Sequence, residues 1–213
     1  MVADPLETRR PLSVPGRVDT MQAIRIIREE HQSLAAVLHG LLYLVREIRA
    51  HRTEPDFTLL GAMVYYIDTF PERFHHPKED AWLFRLLQLR HPDARDLIDR
   101  LQSEHRAGSV KLRQLEQSLL RYQQGGRAEF PVFAAAVESF VAFERNHMRS
   151  EEAEVIPLAQ KYLTPTDWAE IDAAFLDHAD PLLGEAVRDD FLDLFRRIVN
   201  LAPPPIGVGP AHA

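Results

Sequence analysis

The chain has 213 residues, of which 46% are hydrophobic and 27% are charged, a composition typical of one globular domain with a sizeable core. Its formal net charge of −7 argues against nucleic acid as the main partner and gives no reason to expect binding to an anionic membrane. The sequence contains no cysteine, which excludes disulfides and thiolate sites, so any metal must be held by histidine and carboxylate groups.

The N-terminal segment, residues 1–18, is rich in proline and arginine and lacks apolar periodicity. This pattern predicts a mobile or surface-lying arm, and because no apolar run follows Arg9 and Arg10 it is expected to be neither a signal peptide nor a membrane anchor. No window of the sequence reaches the ~18 apolar residues that a spanning helix needs. The expected location is therefore the cytoplasm, with no membrane partner.

Four long segments then carry the periodicity of amphipathic helices, with apolar residues at alternating steps of three and four. The predicted helices cover about 20–50, 56–90, 93–123 and 128–162. Turn signals separate them at Pro55, at Pro92 and at Gly125-Gly126. Residues 19–163 are thus predicted to form an all-α domain, an antiparallel up-down four-helix bundle.

Additional short C-terminal helices are predicted over residues 164–201. Thr164-Pro165-Thr166-Asp167 is a helix-start signature, followed by a helix to about Leu176 and a second over about 185–200. Residues 202–213 contain three consecutive prolines and are predicted to form an extended tail.

Each long helix places histidine in its apolar stripe, where a soluble protein normally has leucine or isoleucine. In the second and fourth helices a glutamate follows four residues later, so the imidazole and the carboxylate share one face, one turn apart. The residues are His31, His75 with Glu79, His105, and His147 with Glu151.

These side chains are predicted to lie at one level of the bundle. Residues on neighbouring antiparallel helices are level when they are equidistant from the intervening turn. The sequence midpoints between successive sets are Thr53, His91 and Arg127, and all three fall in turns that proline and glycine predict independently. Burying so many ionisable groups without a metal would cost several kcal/mol per charge, which favours a metal site in the core.

His76 is open to two interpretations. On an ideal helix it points about 100° away from its neighbour His75, which predicts a surface or outer position. Pro71 and Pro77, however, lie inside the second helix, and each should kink it or divide it into two shorter helices. A kink at Pro77 would allow His76 to face the metal, and we favour that interpretation.

Other polar residues near the stripe are predicted to have lesser roles. Glu144 lies one turn before His147 and either hydrogen-bonds a ligand imidazole or points to solvent. Glu104 and Glu152 are interpreted as flanking residues. The remaining histidines are predicted to be on the surface: His39, His51, His91, His178 and His212.

The sequence resembles the bacterial hemerythrin-like, or HHE cation-binding, domain over about residues 20–162. The matching features are His31, FHHPKED at 74–80, SEH ending at His105, and HMRSEE at 147–152. The resemblance implies a four-helix bundle around a non-haem di-iron centre, in which oxygen-carrying members use five histidines and two bridging carboxylates.

Matched residue by residue, the six stripe residues correspond to family ligands, with Glu79 and Glu151 as the bridging carboxylates. The third helix departs from the oxygen carriers, which have a second histidine one turn from the position of His105. Here Leu101 and Ser109 stand four residues to either side. Related domains have a ligand at the place of His76, which would supply the fifth imidazole. Without it the site has six protein ligands and is more open.

The cofactor implied is a pair of iron ions with carboxylate and oxo or hydroxo bridges, preferred over manganese or zinc. Five imidazoles, two carboxylates and a solvent bridge fill about eleven of twelve octahedral positions. The vacancy would accept a small diatomic ligand or peroxide. Our hypothesis assigns His31 and His75 to the open iron and the other three histidines to its neighbour.

Three function classes remain open from the sequence. One is a protein that binds or senses oxygen, nitric oxide or peroxide. Another is a di-iron enzyme for peroxide or nitric oxide reduction or iron-centre repair. The third is an iron-handling or interaction module.

Overall fold

The structure, a computed structural model, describes residues 21–176, Arg196, residues 198–200 and Ala202. All regular secondary structure in this part of the chain is helical. The predicted N-terminal arm, most of the helix predicted over 185–200 and the tail beyond Ala202 lie outside the described residues. No described helix combines the length and apolar character needed to cross a membrane.

The fold is an antiparallel bundle of four long helices, with a shorter fifth helix packed against one end. Loops and short 3-10 turns join the long helices, and each packs against its neighbours around the bundle. The helices are α1 (Gln22–Arg49), α2 (Phe57–Phe70 continuing through Pro71–His75, His76–Lys78, Glu79–Phe84 and Arg85–Arg90), α3 (Arg95–Gly125), α4 (Phe130–Ser150 continuing through Glu151–Val155 and Ile156–Tyr162) and α5 (Pro165–Leu176).

The turns lie where the sequence midpoints placed them. Thr53 lies in the loop after α1, His91 lies between α2 and the 3-10 turn Pro92–Ala94, and Arg127 lies in the 3-10 turn Gly126–Glu129. The predicted apolar faces are also buried, with few exceptions. Leu89, which continues the apolar spacing of the second predicted helix, is 64% exposed, although Leu86 and Leu87 in the same turn are buried.

Buried hydrophobic side chains in the described residues form two clusters. One fills the half of the bundle near the α1–α2 loop and includes Leu41, Leu60, Leu115 and Val137. The other fills the opposite half, where α5 contributes Trp168, Ile171 and Phe175. Along every long helix the residues between the two clusters include the histidines and glutamates of the stripe, so an ionisable layer lies between two apolar cores.

Helices α2 and α4 widen into π-helical turns at this layer. Backbone donors at the end of Pro71–His75 and of Glu151–Val155 bond to carbonyls five residues back. In both cases proline follows one residue later, Pro77 in α2 and Pro157 in α4. Proline lacks the N–H donor and its ring clashes with the carbonyl four residues back, so a widened turn relieves a strain that would otherwise kink the helix. The expected kink in α2 is thus a change of helical pitch within one continuous helix.

Helix α5 fixes the start of α1. Met21, at the N-cap position of α1, provides no side-chain hydrogen bond to the helix. Instead, the buried carboxylate of Asp172 accepts hydrogen bonds from the backbone N–H groups of Met21, at 3.0 Å, and Ala23, at 2.8 Å. A carboxylate at a helix N-terminus satisfies free donors and interacts favourably with the helix dipole.

Replacing Asp172 with alanine should therefore destabilise the protein by about 1–2 kcal/mol, since two N–H groups of α1 lose their acceptor. Urea denaturation followed by circular dichroism measures the change. Glu170→Ala is the matched control on the same helix, because its ion pair with Arg85 at 2.9 Å is exposed and should contribute less than about 0.5 kcal/mol. Equal stability of the two variants would contradict the capping role.

Candidate metal centre

The structure brings all seven residues predicted as ligands into the ionisable layer. None is more than 6% exposed, although each carries a polar or charged group. They come from all four long helices: His31 from α1, His75, His76 and Glu79 from α2, His105 from α3, and His147 with Glu151 from α4.

These side chains form two groups whose donor atoms converge. Donor atoms of His76, His105 and His147 lie within 4.8 Å of one another, as do those of His31, His75, Glu79 and Glu151. The division of the histidines, three in one group and two in the other, is the division that the sequence hypothesis assigned to two metal ions.

The two carboxylates lie between the groups. Glu79 places Oε1 3.3 Å from Nε2 of His75 and Oε2 3.7 Å from Nε2 of His105. Glu151 places Oε2 3.3 Å from Nε2 of His31 and Oε1 3.0 Å from Nε2 of His147. Each carboxylate therefore directs one oxygen to each group, as a ligand that bridges two ions must.

The spacing of the donor atoms fits a metal. Ligand atoms about 2.1 Å from one ion and at right angles are about 3 Å apart. Nε2 of His31 and Nε2 of His75 are 3.1 Å apart, and the pairs involving Glu79 and Glu151 are similar. Both oxygens of each carboxylate, and Nε2 of His105 and of His147, are buried without a hydrogen bond of good geometry. Buried polar atoms in this state call for a ligand such as a cation.

An outer ring of acids holds four of the imidazoles from behind. In each case Nδ1 bonds a carboxylate of the preceding helix around the bundle, and α4 closes the ring onto α1. The pairs are Glu30 with His75 (2.7 Å), Asp80 with His105 (3.1 Å), Glu104 with His147 (2.9 Å) and Glu152 with His31 (3.0 Å).

The interpretation of Glu104 and Glu152 as mere flanking residues was therefore wrong, and Glu30 and Asp80 were missed. All four acids are adjacent in sequence to a residue of the core layer, which is a signal that the sequence carried. Each acid points to one side of the core-layer residue next to it in sequence. Its carboxylate therefore reaches the imidazole of the neighbouring helix. Its hydrogen bond fixes the ring orientation and leaves Nε2 facing inward.

The π turn explains the position of His76. The widened turn Pro71–His75 shifts the following residue around the helix axis, so that His75 and His76 both face the core. The ring of His76 stacks on that of His105, with centroids 4.0 Å apart, and meets the ring of His147 edge-on at 5.5 Å.

Glu144 is also buried, at 2% exposure, which excludes the solvent-facing alternative.

Comparison with protein families agrees with this arrangement. The family model described as "Hemerythrin HHE cation binding domain" matches residues 22–159, more than half of the chain. The chain belongs to this hemerythrin family. No curated protein and no solved structure matches it. The matched segment begins at the start of α1 and ends near the end of α4, so it contains the whole candidate centre, and hemerythrin HHE domains bind metal cations.

Without a cation, four of the five histidines in the ionisable layer have raised pKa values. Burial lowers the pKa of His105 and of His147, but neighbouring carboxylates outweigh it and raise the two values to about 9 and about 10. Burial also lowers the pKa of His75, but the negative charge of Glu79 outweighs this effect and raises that pKa well above its usual range. His76 differs, because burial and the positive charges of His105 and His75 lower its pKa well below the usual value. His76 is thus a neutral donor, whereas the others must lose a proton to bind metal.

Cation binding to the metal-free protein should therefore strengthen as the pH rises. Below their pKa values His105 and His147 carry protons that a metal displaces, so affinity at their group should rise by up to about 100-fold per pH unit from pH 6.5 to 8.5. Competition between the protein and a chelator for cobalt(II), corrected for the chelator's own protonation, measures this dependence. An affinity independent of pH would contradict the protonated state of these histidines.

The outer ring should contribute to affinity through orientation. Glu104→Gln removes the charged acceptor of Nδ1 of His147 and should lower metal affinity by about 10–100-fold. The control is Glu154→Gln, since Glu154 is exposed and pairs only with Arg100 at 3.3 Å in the described contacts. The same competition titration compares the two variants, and equal affinities would show that the ring has no such role.

Proposed function

We propose that this hemerythrin-family protein holds two iron ions in its core and binds a small ligand there, such as oxygen, nitric oxide or peroxide. The observation that carries the proposal is the position of the two carboxylates, each of which directs one oxygen to each of two donor groups. The proposed ligands are His31, His75, His76, Glu79, His105, His147 and Glu151.

The donor set supports iron over other cations. Imidazole with carboxylate suits iron, manganese and zinc, and the absence of thiolates disfavours copper(I). Five imidazoles and only two carboxylates make the set richer in nitrogen than the carboxylate-dominated di-iron sites of ferritin-like proteins. When bound, an iron pair supplies reversible electron transfer and a coordination position open to a small molecule.

The uneven division of the imidazoles supports the position of that opening. One group has three histidines, whereas the other has only His31 and His75. With both carboxylates shared, the ion in the second group has fewer protein ligands. We therefore assign the exogenous ligand to the His31–His75 side.

Apolar side chains cover much of the layer. Aromatic rings stack on three of the imidazoles, with Phe84 against His105 at 5.6 Å, Phe143 against His147 at 6.4 Å and Phe70 against His75 at 6.4 Å. The two apolar clusters close the layer above and below. Apolar surroundings limit the access of water and protons to a ligand held there, which favours reversible binding.

The test is metal analysis of the purified protein together with its visible spectrum. We expect about two irons per chain, an absorption band that azide perturbs in the oxidised protein, and a spectral change when the anaerobically reduced protein meets oxygen or nitric oxide. Fewer than one iron after anaerobic loading with iron(II) would contradict the proposal. Sustained consumption of peroxide or nitric oxide with an electron donor would show that the protein is a reductase and not a ligand-binding protein.

A further inference from the structure

A groove with a volume of about 550 Å³ runs between α1 and α4 beside the metal centre. We call it the α1–α4 groove. Its floor includes His31 and Met148, which are 3% and 8% exposed, and its walls include the exposed side chains of Arg145 and Arg149. The groove thus reaches from solvent to an imidazole of the centre, on the side that has two histidines.

The groove is positively charged on a chain whose net charge is −7. Its one acid, Glu152, is hydrogen-bonded to Nδ1 of His31 at 3.0 Å, so two arginines face a single carboxylate. A second groove of about 440 Å³ shares Gln32 with the first and adds Arg25, Arg28 and Glu29. Arg25 pairs with Glu29 at 3.0 Å. The residues that line the two grooves therefore include four arginines and two glutamates.

We propose that the α1–α4 groove is the entrance through which a small monovalent anion reaches the metal pair, attracted by Arg145 and Arg149. The inference rests on the proposed function, because it takes the two-histidine side as the open one. It adds to that function a route from solution and the two residues that attract the anion, Arg145 and Arg149.

The route passes the side chain of Met148. Methionine is unbranched and flexible, so its displacement opens the floor of the groove at low cost. Behind the floor, Nε2 of His31 lies 3.1 Å from Nε2 of His75, which places the open group directly inside. A positively charged groove concentrates anions and raises their association rate by about 10-fold or more, an effect that salt weakens.

The test uses the oxidised, iron-loaded full chain and azide as the anion, followed by stopped-flow absorption at low and high ionic strength. The variant is Arg145→Gln with Arg149→Gln. The matched control is Arg113→Gln with Arg121→Gln, two exposed arginines of α3 that lie outside both grooves. Both double variants change the net charge equally, so they separate local attraction from the charge of the whole protein.

We expect azide to bind the groove variant about 3–10-fold more slowly at low salt, with a weaker salt dependence, and to bind the control variant at nearly the wild-type rate. Nitric oxide, which is uncharged, should bind the reduced forms of all three proteins at similar rates. An unchanged azide rate in the groove variant would overturn the entrance, as would equal slowing in the control or equal slowing of nitric oxide. Iron content and spectrum, measured first, identify failure of the proposed function, because that failure removes the iron itself.

Discussion

Replacing Glu151 with glutamine should abolish stable binding of both metal ions. Its carboxylate contacts both donor groups, with Oε2 3.3 Å from Nε2 of His31 and Oε1 3.0 Å and 3.5 Å from Nε2 of His147 and of His105. Glutamine has no charge and only one oxygen, so at least one ion loses its ligand and both lose a negative charge. Since residues behind a ligand already contribute about 10–100-fold to affinity, we expect a loss greater than about 100-fold.

Iron per chain, measured by mass spectrometry after gel filtration, checks this expectation together with the visible band. Glu138→Gln is the matched control on α4, because Glu138 is exposed and pairs with Arg49 at 2.7 Å on the surface. The control should keep wild-type iron content. Retention of two irons and of the band by the Glu151 variant would contradict the bridging role and would leave Glu79 as the only carboxylate proposed to join the groups.

Removing the metal should lower the melting temperature by roughly 10 °C without unfolding the protein at room temperature. A ligand present at about 1,000 times its dissociation constant stabilises the native state by about 4 kcal/mol, and one kcal/mol corresponds to about 2–4 °C for a chain of this size. Unfolding should not be complete, because protons replace the cations. Burial raises the pKa of Glu151, but the charge of His147 and hydrogen bonds from neighbouring histidines outweigh this effect. They hold the pKa of Glu151 well below its usual range, so buried ion pairs remain.

Calorimetry of the iron-loaded protein before and after treatment with a chelator at neutral pH measures the shift. The Glu151→Gln variant serves as the control, since a protein that holds no metal should melt at the same temperature with or without chelator. Equal melting temperatures for the loaded and stripped wild-type protein would contradict a buried metal pair that is linked to folding.

Three features of the fold could be predicted from single residues and their spacing. The helix boundaries followed from apolar periodicity and from proline and glycine at the turns. The common level of His31, His75, His105 and His147 followed from equal distances to those turns, because helical rise is nearly constant. Helix α5 was likewise predicted by Thr164 and Asp167, which bond each other as a cap in the structure.

Apolar periodicity could not predict features that depend on a local departure from the ideal helix. His76 faces the core because the turn before Pro77 widens, and an ideal 3.6-residue repeat has no means of expressing that extra residue. The apolar spacing also includes Leu89, which is exposed in the structure, and a π-helical turn over Glu79–Phe84 precedes it in α2.

By itself, the sequence determined that four helices carry imidazoles and carboxylates to one buried layer, since spacing along a helix translates directly into height and face. Only the tertiary structure decided which side chains meet across helices. The outer ring joins Glu30, Asp80, Glu104 and Glu152 to imidazoles of other helices, and Asp172 caps a helix that begins about 150 residues earlier. Such contacts depend on which helices are neighbours and how each is rotated about its axis, and packing sets both.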